Sequence, residues 1–236
     1  MLLCDRDEGS LIALQAEFSG QAEHIKGVIA ADLSNDNGCV QLFNDVRAKG
    51  LRPDVLVNNA GIAVSGRIDH VPQERWEALM QINLLAPIRL CNLFLPEMVA
   101  RRSGHIVNIS SLAGWIGSPG ISTYCASKFG LRGFSESLAI DLEEFNIKVS
   151  AVYPFFSRTP ILDSEQFGYE QRRTVPEDII TEPADVVAAI IRGIRRDRLH
   201  IFPDKMARRI YYLRRFCPWL IPRLGKRMQE KSIQSD

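Results

Sequence analysis

No uninterrupted apolar run in this chain of 236 residues is long enough to cross a bilayer, so its composition does not point to an integral membrane protein. Cysteine is sparse and odd in number. Cys4, Cys39, Cys91, Cys125 and Cys217 are scattered, with no CxxC pair and no metal-ligand spacing. That excludes a disulfide framework and a zinc site, and it favours reduced thiols in the cytoplasm. Charge of one sign is also lacking: the formal net charge is +1, which gives no electrostatic reason to expect nucleic acid as a partner. The N-terminus has no basic stretch followed by an apolar one, so no signal peptide is read there. Internal repeats and low-complexity linkers are absent too. What is left is the ordinary composition of a globular α/β domain, 46% apolar and 24% charged.

Apolar strand-like runs alternate with helix-like ones. Strands are expected at 1–5, 26–31, 54–58, 105–110, 148–153 and 199–202, each bounded by polar or glycine-containing turns. Helices are expected at 7–18, 35–49, 72–102, 122–145 and 183–196. Pro87 and Pro96 would kink the third of these or split it in two. Residues between 154 and 182 read as irregular. Near-continuous apolar strands separated by helices indicate a parallel, doubly wound, Rossmann-like sheet.

Tyr124 and Lys128 stand four residues apart near the start of a helix, with Ser111 thirteen residues before the tyrosine and Asn83 further upstream. A phenol of ordinary pKa near 10 is a poor acid or base at neutral pH. An ammonium one helical turn away lies on the same face and is expected to bring that pKa down. Ser111 would hold a substrate oxygen while Tyr124 gives or takes its proton. That suits interconversion of an alcohol and a carbonyl. The bland alternative is a surface helical pair and a serine capping a strand end. No histidine near Ser111 suggests a nucleophilic triad.

In order and spacing these residues resemble the short-chain dehydrogenase/reductase family over residues 1–202. Tyr124-Cys-Ala-Ser-Lys128 matches its YxxxK motif, and Asn58-Asn59-Ala60-Gly61 its NNAG motif. Ser111 ends an apolar strand, and Asn83 sits in Gln81-Ile-Asn-Leu-Leu, where the family carries a fourth catalytic residue. The resemblance implies an NAD(P)-dependent oxidoreductase with Asn83, Ser111, Tyr124 and Lys128 as catalytic residues. It implies that Lys128 binds the nicotinamide ribose and that Asn83 distorts its helix and anchors a water leading to Lys128. It also implies that Asp5 faces the adenosine ribose, Asp32 the adenine amino group and Leu33 the adenine ring. Asn59, Ala60 and Gly61, with Asn58, would line the cofactor floor. Pro154 and Thr159 would flank the nicotinamide, where Phe155 replaces the usual glycine. Asp5 favours NAD, and Arg6 beside it keeps NADP open. Asp32 is equally readable as a helix cap.

The family opens with a strand and a glycine-rich phosphate loop, whereas residues 1–5 already read as its second strand. The resemblance thus implies that the first βα unit is absent, as in a fragment of a longer parent, leaving two buried sheet edges unpaired. This supports a second reading, a non-catalytic relative serving as a binding or oligomerisation partner. The helix at 122–145 commonly pairs between subunits in the family, implying a dimer or tetramer. Phe155, Phe156, Ile161, Leu162, Phe167 and Tyr169 make the expected substrate lid apolar, favouring a lipophilic alcohol or ketone. Residues 203–236 form a separate basic, aromatic tail. It contains Lys205, Arg208, Arg209, Arg214, Arg215, Arg223, Lys226, Arg227 and Lys231 against Glu230, interleaved with Tyr211, Tyr212, Phe216 and Trp219. Such a tail suits peripheral contact with anionic lipid, or an arm packed on a partner subunit or over the lid.

Overall fold

Six parallel strands carry the architecture, but they do not form one sheet. The computed structural model describes residues 1–18, 24–172 and 174–220. β1 (Leu2–Asp5) pairs in parallel with β2 (Gly27–Ala30), and α1 (Glu8–Glu17) connects them. After α2 (Asp36–Ala48) comes β3 (Val55–Asn58), which begins the second sheet. That sheet has the order β3–β5–β6–β10, where β5 is Gly104–Ile109, β6 Ile147–Val152 and β10 His200–Ile201. The helices between are α3 (Gln73–Met80), α4 (Ala86–Arg101), α5 (Ser122–Asp141) and α6 (Pro183–Ile194).

Helices on one face join the two sheets. Cys39, Leu42 and Val46 of α2 and Leu90 and Phe94 of α4 share one cluster with Ile29, and both Leu2 of β1 and Leu56 of β3 pack against it. On the same side Cys91 and Met98 of α4 and Leu138 of α5 cover Ile106, Ile147 and Val149. α6 covers the opposite face through Ala189, packed with Val107, Val152 and Ile201. Successive side chains of a strand alternate in direction, so Val55 and Val57 point away from Leu56; they are 43% and 50% exposed. The two edges expected to be buried and unpaired are therefore unpaired but open to solvent on this face.

Local signals set most boundaries. Asp7 caps α1 by accepting from the Gly9 N–H at 3.0 Å, and Asn35 caps α2 by accepting from the Gly38 N–H at 2.9 Å. Asn146 ends the turn after α5 in the left-handed region at φ 57°. The helix expected at 122–145 accordingly stops at Asp141 and closes with a 3₁₀ turn at Glu143–Phe145.

The run Gln73–Arg101 has enough length and apolarity to cross a bilayer, but Leu79, Asn83, Leu90 and Met98 are buried in the domain. Within it α3 and α4 join through a π-helical turn, Gln81–Leu85, where the Ala86 N–H reaches back five residues to the Gln81 carbonyl. Pro87 accounts for this position. It has no N–H to offer the carbonyl of Asn83 four residues earlier, so the α-helical ladder breaks there. Pro96 lies inside α4 without dividing it.

The segment expected to be irregular and mobile is tied down by three short strands. β4 (Val64–Gly66) pairs with β8 (Glu165–Phe167), and β7 (Phe156–Ser157) with β9 (Ile180–Thr181). Arg158 also bridges Glu177 at 2.7 Å and Glu182 at 2.8 Å. Beyond β10, α7 (Lys205–Phe216) begins at its cap Asp204. The tail residues Arg223, Lys226, Arg227, Glu230 and Lys231 lie outside the described residues.

Ile106 is fully buried in the central strand and Ile140 is 75% exposed on α5. Ile106→Ala should therefore lose about 2–5 kcal/mol in urea unfolding, while Ile140→Ala should stay within about 0.5 kcal/mol of the parent. Equal losses would show that the core does not centre on β5.

Candidate active site

The parallel strands present their carboxyl ends to a common side, where open α/β sheets take their ligands. Asp5 ends β1, Asp32 follows β2, Asn58 ends β3, Ser110 and Ser111 follow β5, and Pro154 follows β6.

Lys128 is the most constrained group of the site. It is 3% exposed, its ammonium donates to the Ile109 carbonyl at 2.9 Å, and it lies 5.6 Å from the centroid of the Tyr124 ring. No carboxylate pairs with it among the described residues. Burial pushes its pKa down to about 8. Burial likewise pushes the Tyr124 phenol up to about 12, partly offset by a hydrogen bond from Ser111. The lowering of the tyrosine expected from its neighbour is thus absent. Both groups lose water on folding, and burial disfavours the charged form of each.

Ser111 holds two further bonds. Its hydroxyl accepts from the Ala113 N–H at 3.1 Å, capping the turn Leu112–Gly114, and it lies 3.4 Å from the Pro154 carbonyl. The capping role and the place beside Tyr124 therefore coexist. Asn83 is fully buried in the π turn, where its side chain clasps the backbone of Ile62. It accepts from the Ile62 N–H at 2.9 Å and donates to the carbonyl at 2.8 Å. This double bond fixes the loop after β3. Gly61 sits where a Cβ would stand 3.3 Å from Asn83 Oδ1 and 3.7 Å from Lys128 Nζ. Gly61, Asn83, Ser111, Tyr124 and Lys128 are therefore brought together from four separate parts of the chain.

The other expected residues occupy the rim. Asp5 is exposed and accepts from the Asp7 N–H at 3.0 Å, with Arg6 exposed next to it. Asp32 accepts from the Ser34 N–H and hydroxyl, both at 2.9 Å; these bonds and Arg6 hold its carboxyl below the usual range. Asn35 takes the helix-capping role in its place. Leu33 packs against the core cluster under α2. Asn59 and Ala60 are exposed beside Gly61, and Thr159 is half-buried after β7. Phe155 does not take the positive φ that a glycine permits. Its N–H is held by Asp204 Oδ2 at 3.0 Å, and its ring lies 4.4 Å from that of Phe156.

Asn108 and Ser135 are buried polar groups that the sequence did not single out, and Asn58, expected on the cofactor floor, is buried and turned towards them. Asn58 donates to Asn108 Oδ1 and Asn108 donates to Ser135 Oγ, each at 2.8 Å, which ties β3, β5 and α5 together beneath the site. The Ser110 hydroxyl donates to the Lys128 carbonyl at 3.0 Å. Gly114 lets that turn approach α5, since a Cβ there would stand 2.7 Å from the same carbonyl. An amide inside the otherwise apolar run of β5 was the available signal for Asn108.

A dinucleotide fits these residues at both ends. The acids Asp5 and Asp32 lie on the two-stranded sheet, and the side-chain-free shelf at Gly61, with Lys128 behind it, lies on the other.

Comparison with known proteins gives the same direction. The family model described as short chain dehydrogenase matches residues 1–168. Dehydrogenase/reductase SDR family member 7B of Mus musculus is 31% identical over 245 residues, covering 100% of this chain and 75% of that protein. Epidermal retinol dehydrogenase 2 of Homo sapiens is 31% identical over 190 residues, covering 79% of this chain and 60% of that one. Among solved structures, a short-chain dehydrogenase from Sphingobium yanoikuyae in complex with NADPH superposes with a TM-score of 0.76 at 30% identity, covering 86% of this chain and 78% of that one. The chain spans from about half to three quarters of the length of the curated relatives it matches.

The Lys128 shift carries a pH signature. Its folded pKa of about 8 lies below the ordinary 10.5. Above pH 8 this lysine therefore holds more of its proton in the unfolded chain, and its contribution to stability rises with pH until the unfolded lysine also titrates. That contribution disappears as the pH falls through about 8. Burial raises the thiols of Cys4, Cys39, Cys91 and Cys125, which works in the opposite direction in this range, so the signal is the difference between two chains that share them. In urea unfolding between pH 8 and pH 10 the stability of the parent relative to Lys128→Met should rise. A constant difference between the two chains would refute a burial-driven shift.

Proposed function

Since the chain belongs to the short-chain dehydrogenase family, we propose that it is an NAD(P)-dependent oxidoreductase that interconverts a hydroxyl and a carbonyl on a lipophilic small molecule. The observation that carries this reading is the convergence of Gly61, Asn83, Ser111, Tyr124 and Lys128 at the carboxyl ends of the strands. When bound, the dinucleotide supplies or accepts the hydride on carbon. The chain's own residues manage the oxygen. Ser111 donates to the substrate oxygen and positions it beside the Tyr124 hydroxyl. With its pKa raised to about 12, Tyr124 is fully protonated at neutral pH, ready to deliver a proton as negative charge develops on a carbonyl oxygen. Lys128, mostly protonated below its pKa of about 8, stabilises the phenolate left behind and is the nearest source of a replacement proton. Asn83 holds the Ile62 backbone with its side chain. Its own carbonyl, which Pro87 cannot engage, is available to a water on the path to Lys128.

Asp5 supports NAD over NADP, since a carboxylate at that rim repels a ribose phosphate, while Arg6 keeps NADP within reach. Half-buried Phe156, Ile161, Leu162 and Phe167 support a lipophilic substrate. The stripe of Ala126, Phe129, Gly133, Ser137 and Ile140, all exposed on one face of α5, supports a homodimer or tetramer. Five free cysteines support a reducing compartment such as the cytoplasm. A second reading, a non-catalytic binding partner, draws on the unpaired edges of β1 and β3 with exposed Val55 and Val57.

Turnover of aliphatic, steroid-like and retinoid-like alcohols and ketones, followed by nicotinamide absorbance with both cofactors, separates these readings. The parent should turn over at least one of them, and Tyr124→Phe should lower kcat/KM by about 10²–10⁴-fold. Undiminished turnover in Tyr124→Phe would remove the phenol from the mechanism. Failure of the parent to bind either cofactor would favour the non-catalytic reading. In Asp5→Ser, the ratio of kcat/KM for NADPH over NADH should rise roughly tenfold, the effect of relieving about 1.4 kcal/mol of repulsion.

A further inference from the structure

β10 is the open edge of the four-stranded sheet, and α6 and α7 flank it. Between them lies a cavity of about 280 Å³ whose lining includes Arg192 of α6, Arg196 and Arg198 of the turn that follows it, His200 of β10 and Arg208 of α7. Among the described residues, none of these four arginines is paired with a carboxylate. The acids nearby are engaged or face elsewhere. Glu136 lies 3.7 Å from His200 Nε2 but is held by Arg132 at 2.7 Å. Asp204 accepts from the backbone N–H groups of Phe155 and Ala207. Asp197, exposed in the turn before Arg198, does not line the cavity. Four arginines lining one cavity with no carboxylate paired to them make it strongly positive, and an anionic phosphate would balance that charge while matching their forked donors.

α7 continues the same surface. From 205 to 220 the sequence has five basic residues and no acidic one. The helix is fixed to the body from one side: Tyr211 packs on Trp115 at 4.7 Å and on Phe202 at 4.6 Å, and Ala207 is fully buried. Its outer side presents Tyr212 and Phe216, with their rings stacked at 11°, and the 3₁₀ turn Pro218–Leu220 after it presents Trp219; the three are 52%, 65% and 62% exposed. Large aromatic rings held in water beside unpaired arginines fit the headgroup boundary of an anionic bilayer. A second copy of the chain fits poorly. Symmetric pairing along β10 would set these arginines against their own copies.

We propose that the β10 edge, with α6 and α7, is a docking surface for an anionic phospholipid membrane. The arginine cavity takes the headgroup phosphate, and Tyr212, Phe216 and Trp219 enter the interface. The proposal depends on the charge and shape of this edge and is independent of the carbonyl chemistry.

Sedimentation of the full chain with vesicles tests it, using phosphatidylcholine alone or mixed with phosphatidylserine. The chain should partition onto the mixed vesicles and not the neutral ones, and salt should weaken the binding. Arg192→Gln combined with Arg208→Gln should weaken it roughly 30-fold, at about fivefold per basic residue near the surface. Phe216→Ala with Trp219→Ala should also weaken it, with thermal unfolding unchanged in both variants. Equal partition onto both vesicles, or undiminished partition of the arginine variant, would overturn the proposal. Binding of inorganic phosphate without vesicle binding would overturn it in favour of a soluble anion. A fall in solution mass in the arginine variant would overturn it in favour of a second copy.

Discussion

An ammonium group buried without a carboxylate is the constraint around which this domain is arranged. Lys128 has one fixed acceptor, the Ile109 carbonyl at the end of β5, and a phenol ring beside it. A full positive charge there is expensive, which is why its pKa falls to about 8. Holding the group in place requires α5 to lie close over the end of β5. The chain achieves that with Ser110 bonded to the Lys128 carbonyl and with glycine at 114, where any Cβ would strike that carbonyl. The amide chain Asn58–Asn108–Ser135 sets the same strands and helix from below.

A second constraint meets the first at Asn83. Proline four residues after it denies its carbonyl the usual helical donor, and the helix answers with a π turn. The turn re-aims the Asn83 side chain out of the helix and onto Ile62, and that clasp carries the Gly61 loop to within van der Waals reach of Lys128. The geometry of the candidate site here follows from backbone groups that cannot be satisfied in a regular helix. The side chains then complete it.

Much of this was legible in the residues alone. The succession of strands follows from apolar periodicity, and the grouping of Tyr124, Lys128, Ser111 and Asn83 in one place is what the family resemblance implied. The sign of the Tyr124 shift did not, because a charge four residues away is visible in sequence and the loss of water around both groups is not. Pro87 suggested a kink or a split into two helices, and the resemblance implied a distortion at Asn83; that the two meet in a π turn was not legible, since it depends on which carbonyl loses its donor. The short strands from 156 to 181 were missed because two or three residues of pairing leave no periodicity to read. The division into two sheets joined by α2 and α4 was anticipated only as a pair of edges. Their exposure depends on where Val55 and Val57 point.

The site and the charged edge are not remote from each other. Trp115 follows the Ser111 turn by four residues and carries Tyr211 of α7 on its ring. Arg132 of α5 lies 3.4 Å over the same indole, and Tyr153, fully buried at the end of β6, stacks on Phe202 and hydrogen-bonds His200 at 3.0 Å. One aromatic cluster thus supports both the turn that presents Ser111 and the helix that presents the arginines and exposed rings. Phe155, next to Pro154 at the end of β6, is held by Asp204, the residue that caps α7. Any force that tilts α7 therefore acts on the backbone at Phe155 through a single carboxylate. A surface that orients α7 would orient the mouth of the candidate site with it.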